Sequence, residues 1–322
     1  MTVPASGLAE FGTGRPPGGR APLPSCLVLG NFDGVHVGHQ AILRSGAAKA
    51  RSGGMALTAV TFEPHPRTVI DPGLDFRLLS PLELRRRLLV QLEVDQIWVI
   101  PFNDHLRQLA PDQFMDTLRA RLEIRAMVVG SSFSIGRGAE GRLGFLQGYA
   151  RTVGFEVEVV EAQIREGVVV SSSEIRARLS SGRLDSVSRM LGRPFQVLGE
   201  VAHGEGIGRR LGFPTANLTL TANQALPGDG VYVMELVTPK GLRFGAVGSI
   251  GVRPHFGGQN RCFEVHCLGD DPGDLYGQQV LASVFAKIRD QAVFASDQAL
   301  ASQMSRDAAA AEAYLAGAPA SA

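Results

Sequence analysis

Two stretches of this 322-residue chain set glycines beside polar groups suited to phosphate chemistry. The first is residues 30–39, Gly-Asn-Phe-Asp-Gly-Val-His-Val-Gly-His, lying between an apolar run and a helical pattern. Its glycines let the backbone turn tightly and approach a ligand. The helix that follows offers unpaired N–H groups and a positive dipole end to an anion. His36 and His39, three apart, fall on one side of the first turn. From there both could donate hydrogen bonds to a triphosphate and to the charge that builds on its α-phosphorus. A zinc pair is the rival reading, but no third ligand accompanies it. Farther on, Ser171-Ser172-Ser173-Glu174-Ile175-Arg176 reads as a capped helix start. Its hydroxyls and the Arg176 guanidinium could hold phosphates, or could be a plain cap and a solvated arginine.

The second stretch is residues 204–217, Gly-Glu-Gly-Ile-Gly-Arg-Arg-Leu-Gly-Phe-Pro-Thr-Ala-Asn. Gly206, Gly208 and Arg209 belong to a flap whose backbone N–H groups can face phosphates. Thr215 and Asn217 sit two apart, so an extended backbone points both to one side. A hydroxyl and an amide oxygen there suit Mg²⁺, which takes a few oxygen ligands besides phosphates and water. This is not a Walker loop, since no Gly-Lys-Ser/Thr follows the glycines; a structural Gly-rich hairpin is the alternative. Glu264, in a weakly alternating apolar strand, could serve as a general base toward a hydroxyl or could simply face outward. His266 shares its face and reads as packing.

The elements that must position these groups change character along the chain. Apolar runs at 26–29, 56–62, 96–100, 126–129 and 155–160 read as strands, and 37–51, 81–92 and 111–122 as helices, Pro111 opening the last. Strands alternating with helices predict a doubly wound parallel sheet, whose ligands bind at the carboxyl ends of the strands. After about residue 184, short apolar runs separated by Gly, Pro and Asn predict an antiparallel barrel or sandwich. A helix over 296–313 closes the pattern. The expected domains are 25–184 and 185–314, between a flexible leader at 1–24 and a tail at 315–322.

Composition narrows the class of protein. Lys and Arg number 32 and Asp and Glu 31, so no positive field draws the chain to nucleic acid or acidic membranes. Cys26, Cys262 and Cys267 show no paired spacing and argue against a disulfide framework. No apolar run is long enough for a membrane span, and the start lacks the pattern of a secretory signal. A cytoplasmic location is the default, with no membrane partner and a monomer or weak homo-oligomer.

The motifs GNFDGVHVGHQ, TFEPHP at 61–66 and SSSEIR resemble the adenylyltransferase half of the bacterial bifunctional riboflavin kinase/FMN adenylyltransferase family. LGRP at 191–194, GxGRxLGFPTAN, Gly230-Val231-Tyr232 and Asp274-Leu275-Tyr276-Gly277 resemble its kinase half, whose fold is a small Greek-key barrel. The resemblance implies that His36 and His39 bind ATP phosphates and the transition state. Asn31 and Asp33 would shape that loop, and Ser172 and Arg176 would hold phosphates. Thr215 and Asn217 would lie at Mg–ATP, with Glu264 activating the ribityl hydroxyl. Riboflavin, FMN and ATP are then the substrates, and Mg²⁺ accompanies ATP with no permanently bound organic cofactor. The family's Gly-x-Asp/Asn-Phe-x-Phe-Gly loop reads Gly-Ser-Ser-Phe-Ser-Ile-Gly at 130–136, which makes Ser132 and Phe133 the flavin candidates. Ser132 is shorter than the residue it replaces and would reach a flavin through water. Ser249 and His255 stand where Asn and Thr are usual. Two other readings stay open: a riboflavin kinase with a degenerate N-terminal half, and a non-catalytic flavin-binding regulator.

Overall fold

The structure is a computed structural model that describes residues 8–10, 24–203, 207–220, 223–252 and 261–317. Their elements divide between two compact units, Thr2–Phe76 with Leu82–Ser171, and Arg77–Pro81 with Ser172–Ala322.

The first unit runs β1 (Leu8–Glu10), β2 (Pro24–Leu29), α1 (Val37–Gly53), β3 (Ala56–Glu63) and α2 (Pro66–Ile70). It continues with α3 (Leu82–Val90), β4 (Gln96–Pro101), α4 (Asp104–Gln108), α5 (Pro111–Arg119) and β5 (Glu123–Gly130). A small hairpin, β6 (Ser134–Ile135) and β7 (Gly141–Arg142), leads to α6 (Leu143–Val153), β8 (Glu156–Val160), and a second hairpin of β9 (Ile164–Arg165) and β10 (Val168–Val169). Six strands form one parallel sheet in the order β1-β4-β3-β2-β5-β8. The inner strands are apolar on both faces, as a sheet covered by helices on both sides demands; Leu27, Val28, Ala59, Val60, Met127 and Val128 are fully buried. β1 lies within the stretch that composition reads as a flexible leader. A sheet edge offers a free row of backbone groups, so pairing there needs no hydrophobic alternation to announce it.

This order reverses direction at β2, with β3 and β4 on one side and β5 and β8 on the other. The crevice at such a switch point, outside the carboxyl ends of the strands, is where open α/β sheets bind ligands. Here it is bordered by the loop after Leu29 and the loop after Gly130.

The second unit begins with α7 (Ser172–Ser180) and α8 (Leu184–Leu191), then β11 (Phe195–Ala202), α9 (Ile207–Arg210) and β12 (Ala216–Leu220). β13 (Gly230–Val237), β14 (Arg243–Val252), β15 (Arg261–Cys267), β16 (Gln279–Arg289) and α10 (Asp297–Gly317) complete it. Six strands close an antiparallel barrel in the order β11-β12-β15-β14-β13-β16, a Greek-key path in which β12 pairs past two later strands. The compact units part at Ser171 and Ser172 rather than near residue 184. α7 is the reason: it packs on α8, which in turn packs on β11 and β16, so residues from Ser172 onward group with the barrel.

Residues 77–81 belong to the barrel unit although they lie early in the chain. The Leu78 amide donates to Asn223 O at 2.8 Å, and the Ala225 amide donates to Leu78 O at 2.7 Å. Gln224, 2% exposed, completes the join. Its Nε2 donates to Leu79 O at 3.2 Å and Gln196 O at 2.8 Å, and its Oε1 accepts from the Leu198 amide at 3.2 Å. Gln224→Leu would strand all three groups in an apolar setting, at about 1–3 kcal/mol each before relaxation. The expected result is lower thermal stability of the barrel and faster hydrogen exchange at the Leu198 amide. Unchanged exchange there would refute the assignment of this side chain as the join.

Candidate active site

The loop after β2 carries the first constellation in a constrained conformation. Phe32 and Val35 both have positive φ, 50° and 39°, and for a β-branched valine that is a genuine outlier. Strain of this kind persists where the surroundings fix the backbone, as at functional sites. Asp33 is buried, and the Val35 amide donates to Phe32 O at 3.0 Å. His36 is the N-cap of α1, and its Nδ1 accepts from the His39 amide at 3.3 Å. A neutral imidazole that accepts at Nδ1 carries its proton on Nε2, so His36 offers a donor on the side of the ring away from the helix. The His36 and His39 rings stack at 3.6 Å and 16°, and His39 sets its edge against Phe32 at 5.3 Å. Gly38 makes room for this arrangement: a Cβ there would stand 3.1 Å from Cε1 and Nδ1 of His36.

A buried arginine braces the loop from below. Arg85, 0% exposed, donates through NH1 to Asn31 O at 3.0 Å, Thr61 Oγ1 at 2.9 Å and Phe62 O at 3.1 Å. Its NH2 meets Glu63 Oε2 at 3.0 Å. Burial pushes the guanidinium pKa down, while Glu63 and Asp33 oppose that shift. The sequence singles out no member of Arg85-Arg86-Arg87; only the side chain's direction distinguishes Arg85. Asn31 therefore joins the site through its carbonyl. His65, at the end of β3, caps α2 through Nδ1, which accepts from the Arg67 amide at 3.2 Å, and its ring packs on Phe76 at 4.5 Å.

The flavin candidates part company. Ser132 is exposed, whereas Phe133 is buried among Phe62, Phe114 and Ile135 in the core of the sheet unit. Ser172 opens α7 in the barrel unit, and Arg176 donates through Nε to Arg77 O at 2.7 Å.

In the barrel, strand register assembles the second constellation. Asn217 on β12 stands opposite Glu264 on β15, and Glu264 stands opposite Ser249 on β14. Directly opposed residues share a face, their Cβ atoms about 5 Å apart. Phe263 and Val265 turn into the core, so Glu264 and its neighbours line the outer face. Gln291 Nε2 donates to Ser249 Oγ at 3.0 Å and to Ile250 O at 3.1 Å. His266 shares the outer face; its Nδ1 donates to Pro214 O at 2.8 Å and its ring meets Phe213 edge-on at 5.3 Å. It thereby holds the segment that delivers Thr215.

Gly208 closes the same loop from the other side, its carbonyl accepting from the Leu211 amide at 3.0 Å and the Phe213 amide at 2.8 Å. A Cβ on Gly208 would lie 2.3 Å from Phe213 O and 3.1 Å from Thr215 Oγ1. Gly208→Ala must therefore displace backbone beside a candidate metal ligand. We predict a rise of about tenfold or more in KM for ATP in flavin phosphorylation, the scale of about 1.4 kcal/mol, with adenylylation of supplied FMN unchanged. An unaltered KM would remove this loop from the ATP site. Gly206 and His255 lie outside the described residues, as does the side chain of Arg209.

Comparison with known proteins decides the family. The FAD synthetase family profile matches residues 20–174 and the riboflavin kinase profile residues 191–315. A bifunctional riboflavin kinase/FMN adenylyltransferase of Escherichia coli K12 is 34% identical over 290 residues, covering 89% of this chain and 92% of that protein. The chain belongs to the bifunctional riboflavin kinase/FMN adenylyltransferase family. A relative from Pseudomonas fluorescens with the same description is 37% identical over 292 residues, with 89% and 92% of the two chains covered. A solved structure from Streptococcus pneumoniae, described as a macrolide-efflux protein, is 29% identical with a TM-score of 0.81, covering 91% of this chain and 95% of that one. Among the described residues here no helix is long and apolar enough to cross a membrane.

The two activities of the family, phosphorylation of riboflavin to FMN and adenylylation of FMN to FAD, are those of this chain. Riboflavin, FMN and ATP are its substrates.

Proposed function

We propose that the barrel unit phosphorylates riboflavin and the sheet unit adenylylates the FMN so formed. The observation that carries the first half is the row Asn217–Glu264–Ser249 across three adjacent strands, which sets an oxygen ligand beside a carboxylate. In the kinase step the terminal ribityl oxygen bonds to the γ-phosphorus, the bond to ADP breaks, and Glu264 takes the hydroxyl proton. Catalysis otherwise rests on positioning and neutralisation of charge. The Thr215 hydroxyl and Asn217 amide oxygen fit Mg²⁺, being neutral oxygen donors that leave room for phosphates and water. When bound, the ion would offset charge on the ATP phosphates. No further cofactor is invoked.

In the adenylyl step a phosphate oxygen of FMN bonds to the α-phosphorus of a second ATP, and pyrophosphate leaves. His36 and His39 donate to the charge that gathers on the α-phosphate, at the positive end of α1. Asn31 and Asp33 shape the loop, and Ser172 and Arg176 contact phosphates. Ser132 contacts the flavin through water, while Phe133 supports that loop from the core. The protein acts as a cytoplasmic monomer or weak homo-oligomer, without a nucleic-acid or membrane partner.

The direct test is incubation with riboflavin, ATP and Mg²⁺, with the flavins separated by chromatography over time. FMN followed by FAD supports both roles. FMN alone would mean that the Ser132 and Ile135 departures have cost the sheet unit its activity, and no conversion would remove both assignments.

A further inference from the structure

We infer that Arg85 is a positioning residue for adenylyl transfer, locking the loop that carries His36 and His39 to the end of β3. This rests on the adenylylation site proposed above. The geometry is specific. One nitrogen, NH1, donates to the carbonyl of Asn31, which starts the histidine loop, and to the Thr61 hydroxyl and Phe62 carbonyl, which end β3. Thr61 Oγ1 also donates to Asn31 O at 3.1 Å, closing a triangle. The second nitrogen reaches the Glu63 carboxylate, immediately before the Pro64-His65 turn. Both segments leave the ligand edge of the sheet, and a single fully buried cation spans them.

Burial alone does not account for such a residue. A buried ion pair is often replaceable by apolar side chains at little or no cost in stability, and the Arg85 Nε–H has no hydrogen-bond partner among the described residues. What an apolar replacement would lack is the clamp on the Asn31 carbonyl. The strained residues Phe32 and Val35 follow it directly, and a loop held at positive φ needs its ends fixed. Displacements of about 1 Å in such supports can cost about 100-fold in rate.

The arrangement separates the charge from the shape. The three acceptors around NH1 cluster at one point, so a lysine ammonium, with three donors, can satisfy them and lose only the Glu63 contact. A methionine fills the space and satisfies none. We expect Arg85→Lys to keep adenylyl transfer within about tenfold, and Arg85→Met to lower its kcat about 100-fold or more with KM for ATP changed less than about threefold. Riboflavin phosphorylation by the same preparations should be unchanged. Thr61→Val, which removes one corner of the triangle at nearly constant volume, should lower the same kcat by a smaller factor.

The measurement is steady-state FAD formation from FMN and ATP, alongside kinase rate and Trp98 fluorescence melting, Trp98 being the chain's single tryptophan and buried in the sheet unit. Full adenylylation in Arg85→Met and Thr61→Val would overturn the inference. So would a loss that tracks the fraction unfolded, or a loss equal in the lysine and methionine variants. The underlying site is tested apart from this. If His36→Ala still forms FAD, the site assignment fails; if His36→Ala is inactive while Arg85→Met is active, only the role of Arg85 fails.

Discussion

Alanine at His36 should stop FAD formation while riboflavin is still converted to FMN. His36 is the N-cap of α1 and is 7% exposed, with its Nδ1 already engaged by the His39 amide. The proton of the neutral ring is then on Nε2, and the ring is held in direction by the cap on one edge and by the stacked His39 ring on one face. A donor fixed in this way needs no reorganisation as charge develops on the α-phosphate. Removal of one such preorganised donor costs on the order of 100- to 1,000-fold in kcat. The loss of an N-cap acceptor adds about 1 kcal/mol of destabilisation, too little to unfold the sheet unit. Gly38→Ala is a milder version, since the added methyl presses on a ring that can give by a few tenths of an ångström. The check is FAD formation from supplied FMN alongside the kinase rate, with Trp98 fluorescence melting as the control for folding of the sheet unit. Near-normal FAD formation by His36→Ala would exclude the histidine pair from the reaction, and loss of both activities would show that the halves are not chemically separate.

The legible parts of this molecule are those where local pattern and tertiary role agree. β2, β3, β4 and β5 are short apolar runs because central parallel strands are buried on both faces. α5 announces itself by Pro111 and by Phe114, Met115 and Leu118 on one stripe. α6 is concealed by Gly144 and Gly148, which lower helix propensity, and it buries only Leu146 and Ala150. β1 is three residues long and is stabilised by edge pairing rather than by pattern. The departure of residues 77–81 into the barrel has no sequence signal, because it rests on main-chain bonds and on one glutamine whose partners lie far apart in sequence.

The candidate sites divide along the same line. Glycine loops, paired histidines and the Thr-x-Asn spacing are local features, and each can be read from residue types. Whether Glu264 faces Asn217 depends on the register between β12 and β15, and a slip of one residue would turn it to the other side of the barrel. Arg85 is hidden for the opposite reason: three consecutive arginines look alike until the fold buries one. Phe133 reads as a loop aromatic available to a ligand, but the alternation Ser132, Phe133, Ser134, Ile135 turns both apolar side chains into the core.

That same register sets the expected behaviour of Glu264→Gln. The side chain keeps its size and its neighbours Asn217 and Ser249, and loses only the ability to accept a proton. Proton abstraction by a positioned base contributes on the order of 100- to 10,000-fold. Phosphoryl transfer through a loose transition state asks less of its base than of its charge clamps, so the lower end of that range is expected here. FMN formation should fall accordingly, and added FMN should still be adenylylated at the normal rate. His266 is the competing base on the same face. Its Nδ1–H is committed to the Pro214 carbonyl, which in the neutral ring leaves Nε2 able to accept a proton. If Glu264→Gln keeps the parental rate of FMN formation while His266→Gln loses it, the proton leaves through the histidine and Glu264 is a neighbour of the metal ligand rather than the base.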